Sequence, residues 1–230
     1  MLHRLALPYG AMLLVAAACA RPAAELAPGT MAFEHAPDGI PAEPWTHALA
    51  AHRQATLAGQ TNSHLLTIID FSRPATEKRL WVVDLGTQSV LLHEYVAHGQ
   101  HSGGLWATQF SNAQGTNRSS LGTFITATTY IGVRGLSLRI RGIEPGINDN
   151  AWARGIVIHG TPNVSEARAK KGTMGRTEGC PAVPATSSRR LIRMIENGVV
   201  VFAWYPDRAF LSRSEYLEPG TAALRLSSLD

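Results

Sequence analysis

From Leu65 onward the chain is written in short apolar runs broken by turn-forming clusters, a strand texture rather than a helical one. Leu65–Phe71, Arg79–Asp84 and Ser89–Ala97 each read as a strand, with Asp84-Leu85-Gly86-Thr87 as the turn that folds the last two into a hairpin. Thr123–Ile131 and Leu136–Arg141 follow as two more strands. A short apolar run, Gly155–His159, predicts a buried strand, and Val199–Tyr205 predicts the last one. Three stretches carry helical spacing. Trp45–Ala58 follows Pro44 and stops at Gly59; Ser165 is placed to cap Glu166–Lys171; and Pro184–Asn197 shows Leu191, Ile192 and Ile195 on one face before Gly198. Residues 98–121 are rich in Gly, Ser and Asn and predict a long loop, a feature that in a compact domain signals function or mobility. No internal repeat is visible. Many strands with few helices predict a mainly β domain with minor helices, sandwich- or barrel-like.

The N-terminus departs from this pattern. A basic start at His3-Arg4, an apolar stretch over Leu5–Ala18 and small residues around Ala18-Cys19-Ala20 describe an export signal over residues 1–20. Val15-Ala16-Ala17-Ala18-Cys19 resembles a degenerate lipobox, which would attach the chain to a membrane through a lipidated Cys19; ordinary cleavage at Ala18-Cys19-Ala20 is the alternative. A Pro/Ala-rich tether and the first helix fill residues 21–60, the main domain is expected over 61–210, and a tail follows over 211–230. About 210 residues beyond the signal suit one domain with a sizeable core.

Composition narrows the function. The formal net charge is +4. Basic residues are scattered, with one denser run at Arg168–Lys171 that reads as a solvated helix face, and no aromatic-interleaved basic stripe points to nucleic acid. The mild positive balance fits an anionic polymer of the cell envelope. Only two cysteines are present, Cys19 in the signal and Cys180. An exported protein ordinarily pairs its cysteines, so a lone Cys180 calls for a chemical reason.

That reason lies in its surroundings. Cys180 sits in Thr177-Glu178-Gly179-Cys180-Pro181, and His159-Gly160 ends the apolar run twenty-one positions upstream. A thiol near its free pKa is only a few per cent ionised at neutral pH, so a nucleophilic cysteine needs an adjacent base. His159 at the end of a strand is a rigid base. Gly175 and Gly179 let the chain turn tightly, and the Gly179–Cys180 backbone N–H groups offer an oxyanion hole. No Asp or Asn stands ready to orient the imidazole, which leaves a backbone carbonyl such as that of Gly160. The bland alternative is a small buried thiol beside a satisfied core histidine.

The residues also carry a resemblance. Ile156-Val157-Ile158-His159-Gly160 followed by Thr177-x-Gly179-Cys180 is similar to the His-Gly and Ser/Thr-x-Gly-Cys signature of YkuD-type L,D-transpeptidase catalytic domains, in the branch with Gly-Cys-Pro-Ala-Val after the thiol. Phe110-Ser111-Asn112, Ser119–Phe124, Gly135–Leu138 and Glu144-Pro145-Gly146-Ile147-Asn148-Asp149-Asn150 resemble the same branch, over roughly residues 80–206 in all. The resemblance implies a YkuD-like fold and a periplasmic or envelope-bound enzyme acting on peptidoglycan stem peptides without a cofactor. Cys180 would attack the bond between diaminopimelate and a terminal D-Ala, forming a thioester that an amine or water resolves. His159 would be the base, Gly160 its orienting carbonyl, Thr177 the hydroxyl of the motif, and Gly179 with Cys180 the oxyanion donors. This sequence departs from many relatives in having Glu178 where His is common, Pro181-Ala182 after the thiol, and Ser120 where Pro is common. Arg176 is then the candidate cation for a substrate carboxylate, and Asn112, Ser120, Tyr130 and His98 are the remaining candidate substrate contacts.

Other readings stay open. His93, His98 and His101 cluster without a recognised metal-ligand spacing, so no metal is expected. Trp152 reads as a core or rim aromatic and Trp204-Tyr205 as structural. The same site acting as an L,D-carboxypeptidase or endopeptidase differs only in whether water or an amine resolves the thioester. A silent wall-binding module is the non-enzymatic alternative. A sortase-like arrangement would need an Arg on a strand soon after the thiol, where Pro184 opens a helix instead.

Overall fold

The computed structural model describes residues 35–217; the export signal, Cys19 and the last thirteen residues lie outside the described residues. The chain runs α1 (Ala42–Leu57), β1 (Leu65–Asp70), β2 (Leu80–Asp84), β3 (Ser89–Glu94), β4 (Gly122–Gly132), β5 (Gly135–Gly142), a 3-10 turn (Asp149–Ala151), β6 (Val157–Thr161), α2 (Glu166–Lys170), β7 (Ala182–Pro184), α3 (Ala185–Ile195), β8 (Val200–Trp204) and α4 (Arg208–Arg213). The strands form one mixed eight-stranded sheet in the order β3-β2-β1-β8-β4-β5-β6-β7. β8 enters the middle, parallel to β1 and antiparallel to β4. It is buried along its whole length, and its continuous Val-Val-Phe-Ala-Trp run is the pattern of a strand covered on both faces.

The sheet curls until its two edges meet. Ala97, three residues past β3, bridges Ala182 of β7, and the Ala97 N–H donates to the Ala182 carbonyl at 2.8 Å. The stitching continues where Thr177 N–H donates to His98 O and Gln100 N–H donates to Thr177 O. The mainly β, barrel-like architecture expected from the strand pattern is therefore present, and closure removes both free edges. Ala97, Ala182 and Val164 form a small apolar plug at the seam, with Tyr95 and Met174 against it. α1 lays Trp45, Ala48, Ala51 and Ala55 on β1 and β8, while α3 sets Leu191, Ile192 and Ile195 on β5 to β7.

The seam is fastened from inside by a buried arginine. Arg79 has no exposed surface. Its guanidinium donates to the carbonyls of Val96 (2.9 Å) and Arg73 (2.6 Å) and to His98 Nδ1 (2.8 Å), and it lies over the Phe71 ring. Burial pulls the Arg79 pKa down to about 9, with Asp70 opposing, so it remains a cation at neutral pH. Because a guanidinium only donates, His98 Nδ1 must accept, and His98 Nε2–H is left to donate to Gly104 O at 3.0 Å.

Several local expectations hold. Gly59 turns with positive φ after α1, Ser165 Oγ accepts from Arg168 N–H, and Asp84 Oδ1 takes the Gly86 and Thr87 N–H groups in the hairpin. β7 and α4 were not legible. Three residues, one of them proline, show no periodicity, and α4 is a polar single turn and a half held by the Asp207 cap and by burial of Phe210 and Leu211. Residues 98–121 form no strand beyond isolated bridges, yet they are not loose: Ser102, Ala107, Ser119 and Leu121 are buried in them. The Glu144–Asn150 motif is a structural hub. Asn148 donates to the carbonyls of Leu121 and Thr123, Glu144 accepts from Thr123 N–H at 2.6 Å and from Ser214 Oγ, and Asn148 Oδ1 accepts from Glu144 N–H.

Two consequences are testable. A methyl group on Gly142 would meet the Asn148 carbonyl oxygen at 2.0 Å, whereas one on Gly59 meets nothing and suffers only its positive φ. Gly142→Ala is expected to lower unfolding free energy by about 3 kcal/mol and Gly59→Ala by about 1 kcal/mol in urea melts. The second concerns acid. Burial, then the Arg79 charge, push the His98 pKa down from 6.5 to about 4. Between those values the unfolded chain binds a proton that the folded chain refuses, so stability falls as pH drops from 6.5 and levels off near 4. The loss is about 3 kcal/mol from this residue. Melts of wild type and His98→Gln across that window measure it: the variant should lack most of the pH slope.

Candidate active site

His159 lies on β6 between β5 and β7, directly opposite Ser137 on one side and Ala182 on the other. Cys180 stands two residues ahead of Ala182, so the strand pairing that fixes His159 also fixes the approach of the thiol. His159 Nδ1 is 3.0 Å from the Gly160 carbonyl. A carbonyl only accepts, so Nδ1 carries the proton and Nε2 holds the lone pair. Nε2 is buried without a hydrogen-bond partner, which is the condition of a base with its acceptor position open. Gly160 is required for a second reason: a Cβ there would strike Ser188 of α3 at 2.4 Å.

The nucleophile loop is held at every joint. Gly175 N–H donates to Asn163 O. Thr177 Oγ1 donates to Cys180 O at 2.7 Å and accepts from Gly179 N–H at 3.1 Å, closing a tight turn around the thiol. Ser119 Oγ donates to Gly179 O and accepts from Gly99 N–H, and Ser119 N–H in turn donates to Ser102 Oγ. Gly179 has φ of 117°, and a side chain there would strike the Arg118 carbonyl. The turn corrects one expectation. Gly179 N–H is spent on Thr177, so of the two expected oxyanion donors the loop leaves open the N–H of Cys180 itself.

The resting thiol makes a weak contact, Sγ to Gly155 O at 3.8 Å. Burial pushes the Cys180 pKa above its ordinary value and the Glu178 charge adds to the rise; the Val157 backbone hydrogen bond and the charges of Arg134 and Arg154 work against it. Burial also pushes the His159 pKa below 6.5, opposed by Gly160 and assisted by Arg134. Both shifts disfavour the charged form, the thiolate in one case and the imidazolium in the other, so at neutral pH the thiol and the imidazole are each neutral.

Arg154 is the residue that sequence reasoning passed over as a scattered basic charge. Its fork donates to Ser111 O, Ser120 Oγ and Arg118 O, each at 2.6 Å, and a Cβ on Gly179 would lie 3.3 Å from it. Its partners are all neutral, so its charge is uncompensated by those contacts and acts on Cys180. The only available signal was its place in Trp152-Ala153-Arg154-Gly155, immediately ahead of the His159 strand.

The other expected contacts separate. Ser120 accepts from Arg154 and donates to Ser111 O, tying the 111–120 segment to the site. Asn112 donates to Asp149 Oδ1 and accepts from Asn150 N–H, so both ends of its amide are committed within the fold. His98 is fully buried with both ring nitrogens in use, which places it behind the site as a support and out of reach of a substrate. Arg176 is exposed and donates to Gly103 O. Tyr130 lies in the row Tyr130–Ser137–His159, on the same face as the base. His93 stacks on Trp81, away from His98, and among the described residues no group of three His, Cys, Asp or Glu could hold a metal ion.

The YkuD_2 family, L,D-transpeptidase catalytic domain, matches residues 38–204, and the chain belongs to that family. Solved structures share the likeness at low identity. An L,D-transpeptidase from Mycobacterium smegmatis is 14% identical over 62% of this chain and 59% of its own, with a TM-score of 0.39. The helical cell shape determining protein Pgp2 from Campylobacter jejuni is 14% identical over 71% and 57%, TM-score 0.41. An L,D-transpeptidase from Xylanimonas cellulosilytica is 13% identical over 69% and 78%, TM-score 0.38. The chain thus spans about three fifths of the length of the first two. No curated protein matches it.

The charge at Arg154 is separable from its fork. Alkylation of Cys180 by iodoacetamide should accelerate past pH 9.0 in the wild type, as the raised thiol pKa requires. Arg154→Gln should move that midpoint up, while Arg154→Lys moves it less. Equal shifts in both variants would make Arg154 a structural tie only.

Proposed function

We propose that this protein is a peptidoglycan L,D-transpeptidase working through a thioester on Cys180. The observation that carries the reading is the buried, unpartnered Nε2 of His159, with its tautomer set by Gly160, on the strand paired to the one that Cys180 enters. Sγ attacks the carbonyl carbon of diaminopimelate while His159 Nε2 takes the thiol proton. The oxyanion is met by the Cys180 N–H, beside the charge of Arg154, which acts as a positioning residue. As the C–N bond breaks, His159 returns the proton to the departing D-Ala amine. An acceptor amine then attacks the thioester, passes its proton through His159, and restores the thiol. Neutral Cys and His at rest suit this order, because each step moves one proton and builds charge only in the transition state.

The export signal read over residues 1–20, with Cys19 as an optional lipid site, supports a location in the cell envelope; no helix among the described residues is long and apolar enough to cross a membrane. Hydrolysis of the same thioester to a trimmed tripeptide is the second outcome of the same chemistry.

Incubation of the mature protein with a carbapenem tests the nucleophile. Intact mass should show one adduct on the wild type and none on Cys180→Ala. With a disaccharide tetrapeptide, a cross-linked dimer supports the transferase and tripeptide alone supports the carboxypeptidase. The acid limb of kcat/KM should fall below pH 6.5, following the lowered His159 pKa. Absence of any adduct or product on the wild type overturns the reading.

A further inference from the structure

Arg139 has no polar partner among the described residues, and its setting is built. It lies on β5 opposite Val157, two residues from Ser137, which is opposite His159. Side chains at that spacing share a face, so Arg139 stands on the face of the catalytic base, about 8 Å from it by strand geometry. Its guanidinium carbon is 4.7 Å from the centre of the Tyr130 ring and 5.1 Å from that of Trp152. Both rings are partly exposed, Tyr130 at 37% and Trp152 at 47%. The two aromatic faces hold the planar fork, while its N–H edges make no hydrogen bond or ion pair with any described residue. Trp152 stands three residues before Gly155, whose carbonyl meets the Cys180 thiol. A groove of about 440 Å³ opens beside it, lined by Ile125, Thr126, Ala127, Arg141 and Trp152.

Two stacked faces and a free edge leave a guanidinium one kind of good partner, a planar anion approaching in its own plane. Clamping also lowers the ordering cost of a long side chain, so more of the hydrogen-bond energy appears as affinity. The neighbouring charge points the same way: Arg134 acts on both Cys180 and His159, and Arg141 lines the groove. We propose that Arg139, held between Tyr130 and Trp152, is the receptor for a carboxylate of the stem peptide and sets donor specificity. The inference rests on the acyl-transfer reading above. It also gives Tyr130 its part, as one jaw of the clamp, and moves the expected carboxylate cation from Arg176 to Arg139.

A stem peptide offers three carboxylates: on D-Glu, on the side chain of diaminopimelate, and at the terminal D-Ala. The test uses the full chain carrying Cys180→Ala, so that binding is read without turnover. Calorimetry would compare the L-Ala-D-Glu-diaminopimelate-D-Ala tetrapeptide with three versions, each amidated at one carboxylate. One amidation should weaken binding about 10- to 100-fold, the range of a bidentate charge-assisted contact, and so identify the carboxylate. In Cys180→Ala/Arg139→Met that same amidation should change nothing, while Arg139→Lys should recover part of the discrimination. Iodoacetamide reactivity of Cys180 and the melting temperature, measured in Arg139→Met alone, should match wild type. Binding of the tetrapeptide that is indifferent to Arg139 overturns this inference and leaves the transpeptidase standing. Failure of the tetrapeptide to bind Cys180→Ala and to acylate the wild type overturns both.

Discussion

The structure depends on the closure of its sheet at Ala97 and Ala182. β7 is three residues long and would be a frayed edge on its own. Because Ala97 pairs with it on one side and His159 to Thr161 on the other, the short strand is bonded on both flanks. The nucleophile loop leads directly into it, so closure is what turns a flexible Gly-rich segment into a rigid mount. The cost is Arg79. A fully buried guanidinium is expensive unless its donors are met, and here they are met by the backbone carbonyls left over where the strand edges turn inward. A histidine that cannot protonate without facing that cation completes the fastening. Acid sensitivity is thus built into the same contact that holds the site together.

The chemistry inherits this rigidity. Burial disfavours the charged forms of both Cys180 and His159, so the fold prepares a neutral pair rather than a standing thiolate–imidazolium. Such a pair is quiet towards adventitious electrophiles and needs help only when charge develops. The help is positive charge placed by other elements: Arg154 from the loop before β6 and Arg134 from the turn between β4 and β5. Arg154 also carries three short hydrogen bonds that lash the 111–120 segment to the loop before β6, so one side chain both supplies charge and fixes that segment.

What could be read from the sequence follows from where the information is local. The strands with β-branched runs, the hairpin at Asp84–Thr87, the Ser165 cap and the Gly59 stop are decided by near neighbours, and they appear as expected. Cys180 and His159 stand out as candidates because glycines flank both and Cys180 is the one cysteine among the described residues. β7 was not, since its existence depends on partners eighty-five and twenty-three residues away, at Ala97 and His159. The same reason hid the burial of His98: a histidine in a Gly-rich loop looks exposed until Arg79, nineteen residues earlier, is known to sit beneath it. Asn112 looked like a free amide, and its partners Asp149 and Asn150 are nearly forty residues on.

Charge placement shows the same division between composition and fold. A net charge of +4 says little by itself. In three dimensions Arg73, Lys170 and Arg193 find carboxylates within a helical turn, at Glu77, Glu166 and Glu196, while Arg168, Arg190 and Arg213 turn to amide or carbonyl oxygens. Around Cys180, Arg134 and Arg139 come from the β4–β5 hairpin and Arg154 from the loop before β6, and none of the three has an ion-pair partner among the described residues. Arg139 spreads its charge over two aromatic faces and Arg154 meets carbonyl and hydroxyl oxygens, so neither contact neutralises it. Glu178 is the carboxylate that acts on Cys180 against Arg134 and Arg154. Cations held by neutral partners keep their charge available, which makes this face complementary to an anion.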